Sequence, residues 1–274
     1  MISRTLLFLV MLALSVPVCT VPGLAAQEPV AAASSSQTDA AALLRQMGNF
    51  LAQAKQLSVS IRSGYDVLQE SGQKVEFGEF RKITLVRPDR IRVDVERSDG
   101  EKALVLFDGQ EITVFSPKEK VFARTAKPGD VDGAIFHLLN DLQLRLPLAM
   151  MLVTQLPSQL EGRVLSVEQV EQSTIMGVPC THLAARTDQV DFQVWIPSQG
   201  DPLPRRVVIT YKNDPGQPQF WADLSEWNLS PNPAEGFFAF TPPEGAVMIP
   251  FLAQLEVAKP DVKKMKKVKK GGKK

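Results

Sequence analysis

The feature that most constrains the fold is a change of hydrophobic period at Leu57. Before it, Leu43, Leu44, Met47, Phe50, Leu51 and Ala54 recur at helical spacing, with Arg45, Gln46, Asn49, Gln53 and Gln56 opposite. Thr38-Asp39 supplies a cap, so a helix is expected over residues 39–56, apolar along one side only. From Leu57 the period is two. Leu57, Val59, Ile61, Tyr65 and Val67 alternate with Ser58, Ser60, Arg62, Gly64 and Asp66. One face is apolar and the other wet, the pattern of an antiparallel sheet with a solvated side.

Turn signals then recur at short intervals. Ser71-Gly72, Pro88-Asp89, Asp99-Gly100, Asp108-Gly109 and Pro117-Lys118-Glu119-Lys120 punctuate runs containing Val75 and Phe77, Ile83 and Leu85, Ile91 to Val95, residues 102–107, 111–116 and 121–123. Six strands joined by short turns make a meander. Residues 130–156 interrupt it. Asp130 or Asp132 can cap a helical segment whose apolar side is Ile135, Leu138, Leu139, Leu142 and Leu146, with a kink or stop at Pro147 and a continuation through Met150, Met151, Leu152 and Val153. Asp132, His137, Asp141 and Arg145 argue against a membrane span there. Strands resume over 163–171, 174–187, 189–196, 205–212 and 219–229, bounded by prolines such as Pro197, Pro204, Pro218 and Pro231. No βαβ alternation occurs, so a doubly wound parallel sheet is not expected.

The ends carry different information. Arg4, the apolar run Leu6–Leu14 and the small-residue stretch Gly23-Leu24-Ala25-Ala26 read as a secretory signal over residues 1–26. The protein is therefore expected in the periplasm or secreted after cleavage. Residues 27–37 read as a flexible spacer, 38–258 as one folded domain, and 259–274 as a disordered lysine-rich tail. Cleavage would leave Cys180 as the only cysteine, so no internal disulfide is expected. The formal net charge is +1, but setting aside Arg4 and the eight lysines of residues 263–274 leaves −8 for residues 27–262. An acidic folded body, together with the export signal, argues against nucleic-acid binding. The lysine run suits peripheral contact with an anionic membrane.

Chemistry-bearing motifs are scarce. Cys180 and His182 stand two apart on an expected strand and could share a face, but a metal site normally takes three or four ligands. His137 and Asp141 stand at i,i+4 and read as a local helix pair. There is no Gly-x-Ser-x-Gly, no phosphate loop, no dinucleotide fingerprint and no His-Glu-x-x-His. No catalytic residue, metal ligand or cofactor is expected, and the protein is read as not an enzyme.

Four stretches carry a family resemblance. The helix 39–56 runs directly into a long first strand. Phe107-Asp108-Gly109 leads to Ile112-Thr113-Val114-Phe115, Pro117 and Val121. Trp195-Ile196-Pro197 is followed by Leu203-Pro204-Arg205-Arg206-Val207. Phe238-Ala239-Phe240-Thr241-Pro242-Pro243-Glu244-Gly245 closes the pattern. In order and spacing these resemble the outer-membrane lipoprotein carrier superfamily (LolA, LolB and LppX type), and more closely its uncharacterised predicted-periplasmic branch. The resemblance implies a mainly β (α+β) fold: a curled antiparallel sheet forming an incomplete barrel, its concave face covered by helices. It implies carriage of a lipid or acylated ligand in an apolar cavity. The expected lining is Phe77, Val93, Val105, Leu138, Leu142, Met150 and Phe192, with the helix 39–56 and segment 131–156 as cover. Two other functions remain open at this point: an envelope interaction or sensor module that binds a protein partner, and a hydrolase with an unrecognised site.

Overall fold

The computed structural model describes residues 30–144 and 146–251. The expected signal segment, the end of the expected domain and the lysine tail lie outside the described residues. The first helix, α1 (Val30–Gln53), starts ahead of the expected residue 39 and takes in backbone that the sequence reading gave to a spacer. Ala31-Ala32-Ala33 has high helix propensity, which the small, polar composition of that stretch hides. The apolar stripe is as expected: Ala40, Leu44, Met47 and Leu51 are buried, while Leu43, Phe50 and Ala54 pack partly against the same core.

The six-strand meander follows, as β1 (Gln56–Leu68), β2 (Lys74–Val86), β3 (Arg90–Arg97), β4 (Lys102–Phe107), β5 (Glu111–Ser116) and β6 (Val121–Ala126). The β1–β2 pair runs in unbroken register from Gln56↔Val86 to Leu68↔Lys74. Its reversal places Gly72 at φ +82°, where glycine carries no Cβ penalty. Period-two alternation becomes visible as packed rows across the sheet. Leu57, Leu85, Ile91, Phe107 and Ile112 are successive cross-strand partners. All five are buried, each contributing about 2 kcal/mol by burial.

The insert is more broken than its sequence suggests. Asp130 caps α2 (Val131–Phe136), its carboxylate accepting from the Gly133 amide at 2.8 Å. A π-helical turn, His137–Asp141, then ends at Leu142, whose amide donates to the His137 carbonyl at 3.0 Å. The helix thus stops well before Pro147, not at it. A single helix could not bury Leu138 and Leu142 and also bring Ala149, Leu152 and Val153 into the same core, as the folded-back chain does. A 3₁₀ turn, Ala149–Leu152, leads to α3 (Leu156–Arg163). The sequence reading missed α3 and started a strand at residue 163. A helix of this length shows too little periodicity, although Pro157 in its first turn is a start signal.

The second meander comprises β7 (Ser166–Ile175), β8 (Val178–Arg186), β9 (Asp191–Pro197), β10 (Arg206–Thr210) and β11 (Gln219–Asn228). The β7–β8 turn falls at Met176-Gly177, with φ of 49° and 77°, several residues later than expected. A short β12 (Val247–Met248) pairs parallel with β6. Among the described residues twelve strands form one sheet in the order β12-β6-β5-β4-β3-β2-β1-β11-β10-β9-β8-β7. It is antiparallel apart from β12 and is not closed into a barrel. The seam between the two meanders is the β1–β11 pair, from Ser58↔Asn228 to Tyr65↔Phe220. The helices and the insert pack on one face. The segment after β11 crosses the other: Arg92 and Arg124 donate to the Phe237 and Phe240 carbonyls, both at 3.0 Å, and the Phe240 ring lies 5.2 Å from Phe115 and 5.6 Å from Phe122. The segment then rounds the β6 edge, and Phe251 joins the core on the helix side.

Candidate functional site: an apolar groove

On the helix-covered face, between the second meander and the insert, lies a groove of about 520 Å³. Its floor is Phe192 and Val194 of β9 with Val207 and Ile209 of β10, which pair directly as Val207↔Val194 and Ile209↔Phe192. One wall is the turn Leu146–Met151 and the other is α3 with the 187–190 hairpin. The floor row continues across the seam. Ile209 pairs with Phe220, Phe220 with Tyr65, and Tyr65 with Phe77. The α3 and hairpin wall also contributes polar groups, Gln159, Arg163, Thr187, Asp188 and Gln189. A half-open channel lined mostly by branched, aromatic and thioether side chains offers an adaptable apolar surface.

Two arginines fasten the wall. The Arg87 guanidinium donates to the Leu152 carbonyl at 2.7 Å and the Ala54 carbonyl at 3.0 Å, and approaches Asp132 Oδ1 at 3.4 Å. Asp132 in turn accepts from the Thr154 amide at 2.9 Å and from its hydroxyl at 2.5 Å. Burial pushes the Arg87 pKa down, and Asp132 and Asp130 push it back up. This network ties the end of α1 to α2 and to the 3₁₀ turn. Arg81, paired with Glu79 on the same face, donates to the Pro147 carbonyl at 3.3 Å and holds the lip of the groove.

The seven residues expected as lining separate into three groups. Met150 and Phe192 line the groove. Leu138 and Leu142 are buried on the core side of the insert, and Val93 and Val105 pack against the core in the first meander. Phe77 is 41% exposed at the far end of the floor row, stacked on Tyr65 at 6.0 Å. Sequence reasoning did not select Val207, Ile209, Leu148, Met151 or Leu160. The alternation through Val207 and Ile209 was visible, but not that their face adjoins an undetected helix.

The cysteine and the histidines are occupied by packing. Cys180 is fully buried, its thiol directed at the Val178 carbonyl at 3.3 Å, and burial pushes its pKa up. The His182 ring stacks on Trp195 at 4.0 Å, with Nε2 2.9 Å from Gln193 Oε1. His137 Nδ1 meets Asp141 Oδ2 at 2.5 Å, the expected helix pair. Among the described residues no group of three or more His, Cys, Asp or Glu side chains could hold a metal ion.

Solved structures with a similar course include the Mycobacterium tuberculosis lipoprotein LppX, at 15% identity and TM-score 0.45, covering 72% of this chain and 99% of that one. A LolA superfamily protein from Nitrosomonas europaea aligns at 11% identity and TM-score 0.35, covering 72% and 96%. MucB of Pseudomonas aeruginosa, solved in complex with MucA, aligns at 20% identity and TM-score 0.38, covering 74% of this chain and 61% of MucB. No curated protein matches the chain by sequence. Residues 40–252 match the family described as Predicted periplasmic protein (DUF2092), and the chain belongs to that family.

Proposed function

We propose that the protein is a non-catalytic periplasmic binder or carrier of a hydrophobic ligand, a lipid or an acyl-modified protein, held in the groove over β9 and β10. The observation that carries this reading is the groove itself: about 520 Å³ with an apolar floor, mostly apolar walls and adjustable methionines. A ligand there would meet Met150 and Phe192 directly. Leu138 and Leu142 would support the insert wall from behind, Val93 and Val105 would stay in the core of the first meander, and Phe77 would lie at the open end. Residues 38–258 are proposed as the functional domain, with residues 1–26 as its export signal. The lysine run of 263–274 is proposed to add peripheral contact with anionic membrane.

The test uses N-phenyl-1-naphthylamine, whose fluorescence rises in apolar surroundings, with palmitate as competitor. Saturable probe binding displaced by palmitate is the expected result. Ile209→Trp fills the floor of the groove and should weaken probe binding at least tenfold. Failure of the folded protein to bind the probe would overturn the carrier reading and leave the envelope interaction module as the better one.

A further inference from the structure

The face of the sheet opposite the groove carries a second recess, unrelated to the first in chemistry. Its centre is the glycine pair Gly64↔Gly78 on β1 and β2. The two glycines have different reasons to be there. The indole of Trp221 lies over Gly64, where a Cβ would stand 2.6 Å from Nε1 and 2.8 Å from Cε2, so no larger residue fits. The same indole nitrogen donates across the strand to Glu76 Oε2 at 2.9 Å. At Gly78 a Cβ would meet nothing closer than the Ser63 carbonyl at 3.7 Å and Ser98 Cβ at 3.8 Å. Packing does not require that glycine, and its bareness leaves a hollow of about 610 Å³ beside the indole. Glycine in a strand interior weakens the strand unless something approaches the backbone there.

The rim of the hollow is chemically particular. Phe80 stands 46% exposed on the wet face, between its cross-strand partners Arg62 and Glu96. Arg62 makes no ion pair with a described residue. Glu76 completes the rim, while Arg97, the cross-strand partner of Glu79, is paired with Glu101 at 3.3 Å. Glu96 is paired with Lys102 at 3.3 Å, and the Arg62 guanidinium stands with the Glu76 carboxylate on the rim, so the hollow has no net charge with which to select an anion or a cation. The third carboxylate nearby, Glu79, is paired with Arg81. Two aromatic side chains over a bare backbone, with a guanidinium and carboxylates at the rim, suit a ligand with flat C–H faces and a hydroxyl edge. A pyranose ring has that form.

We propose that this hollow is a binding subsite for a neutral glycan, with a sugar ring packed against Trp221 and Phe80 over Gly78 and its hydroxyls bonded by Arg62, Glu76 and Glu96. The site is independent of the apolar groove, which lies on the other face. The ligand would be a segment of envelope polysaccharide, so one arm of the test uses the β-1,4-linked tetramer of N-acetylglucosamine and the other uses cellotetraose. Each is titrated into the ¹⁵N-labelled full chain while the three tryptophan indole N–H signals are followed. The Trp221 signal, assigned by Trp221→Phe, should shift saturably at millimolar sugar or below. Response to the first tetramer alone would assign recognition to the acetamido group, and response to both would assign it to the sugar ring. Gly78→Val fills the hollow and Phe80→Ser removes an exposed phenyl without touching the core. Each should weaken binding at least tenfold while leaving naphthylamine binding in the groove unchanged. No shift of the Trp221 signal with either sugar, or full affinity in a folded Gly78→Val or Phe80→Ser variant, would overturn the proposal. Loss of naphthylamine binding alone would count against the groove and not against this site.

Discussion

Arg87 spans three elements with one side chain, and its loss should be the most damaging single change near the groove. Arg87→Ala would leave the Ala54 and Leu152 carbonyls unpaired and the carboxylate of Asp132, which is 8% exposed, without its cation. Removing one partner of a buried pair costs about 3–5 kcal/mol, so the urea midpoint should fall by an amount of that order. Arg87→Lys should not restore it, because an ammonium lacks the planar fork that reaches two carbonyls and a carboxylate together. Cys180 makes the converse case of a reactive group held inert. Burial raises its pKa, so the thiolate fraction is suppressed in the folded state and recovered on unfolding. A disulfide reagent at pH 8 should leave the native thiol untouched and label it rapidly in denaturant. Rapid native labelling would show that β8 opens at its Pro179 end. At this scale the sequence was uneven as a guide. The pair His137 and Asp141 could be read from i,i+4 spacing, because both ends lie on one helix. The partners of Arg87 could not, because they lie at residues 54, 132 and 152 and no local spacing encodes them.

Elements built from local alternation were the legible ones. The first meander runs strand by strand as the turn dipeptides and period-two runs predict, since each hairpin register depends on residues close in sequence. The insert was read as one greasy helix with a kink, and α3 went unseen, because tertiary burial overrides helical periodicity in segments of four to eight residues. That failure explains the uneven lining: residues on the meander strands were chosen by alternation alone, without knowing which half of the sheet the insert leaves uncovered. Two substitutions separate these regions. Val105 packs against the core between Val93 and Val114, so Val105→Phe should overpack it and cost roughly 1–3 kcal/mol with little change in probe affinity. Ile209→Trp, facing the groove, should have the opposite profile in paired denaturation and probe titrations. The proline-rich C-terminal segment was legible as irregular but not as a strap. Phe240 contacts Phe115 and Phe122, and the Arg124 guanidinium stands 5.2 Å from its ring. Phe240→Ala should therefore cost about 2 kcal/mol, from two aromatic pairs and a cation–π contact together.

The whole molecule depends on a seam that closes late in the chain. β1 is the first strand and β11 the last long one, yet they pair along most of their length. Ser60 donates to Glu226 Oε2 at 2.6 Å across a separation of 166 residues. Neither meander has a complete core of its own. Leu57, Val59 and Ile61 belong to the same buried cluster as Val194, Val207, Ala222 and Leu224, and α1 packs over both. Contacts of such long range are made only after a large loop-closure cost, so folding should be slow, in the millisecond-to-second range. Unfolding should be cooperative across the seam. The placement of the chromophores gives a direct test. All three tryptophans, Trp195, Trp221 and Trp227, lie in β9 and β11, so intrinsic fluorescence reports the second meander and the seam. Far-UV circular dichroism reports both meanders and the helices. Coincident urea midpoints by the two probes are expected for one shared core. A fluorescence transition that completes while most of the β signal persists would show that β1–β6 stands without its partner, and the seam would then be an interface between separable halves.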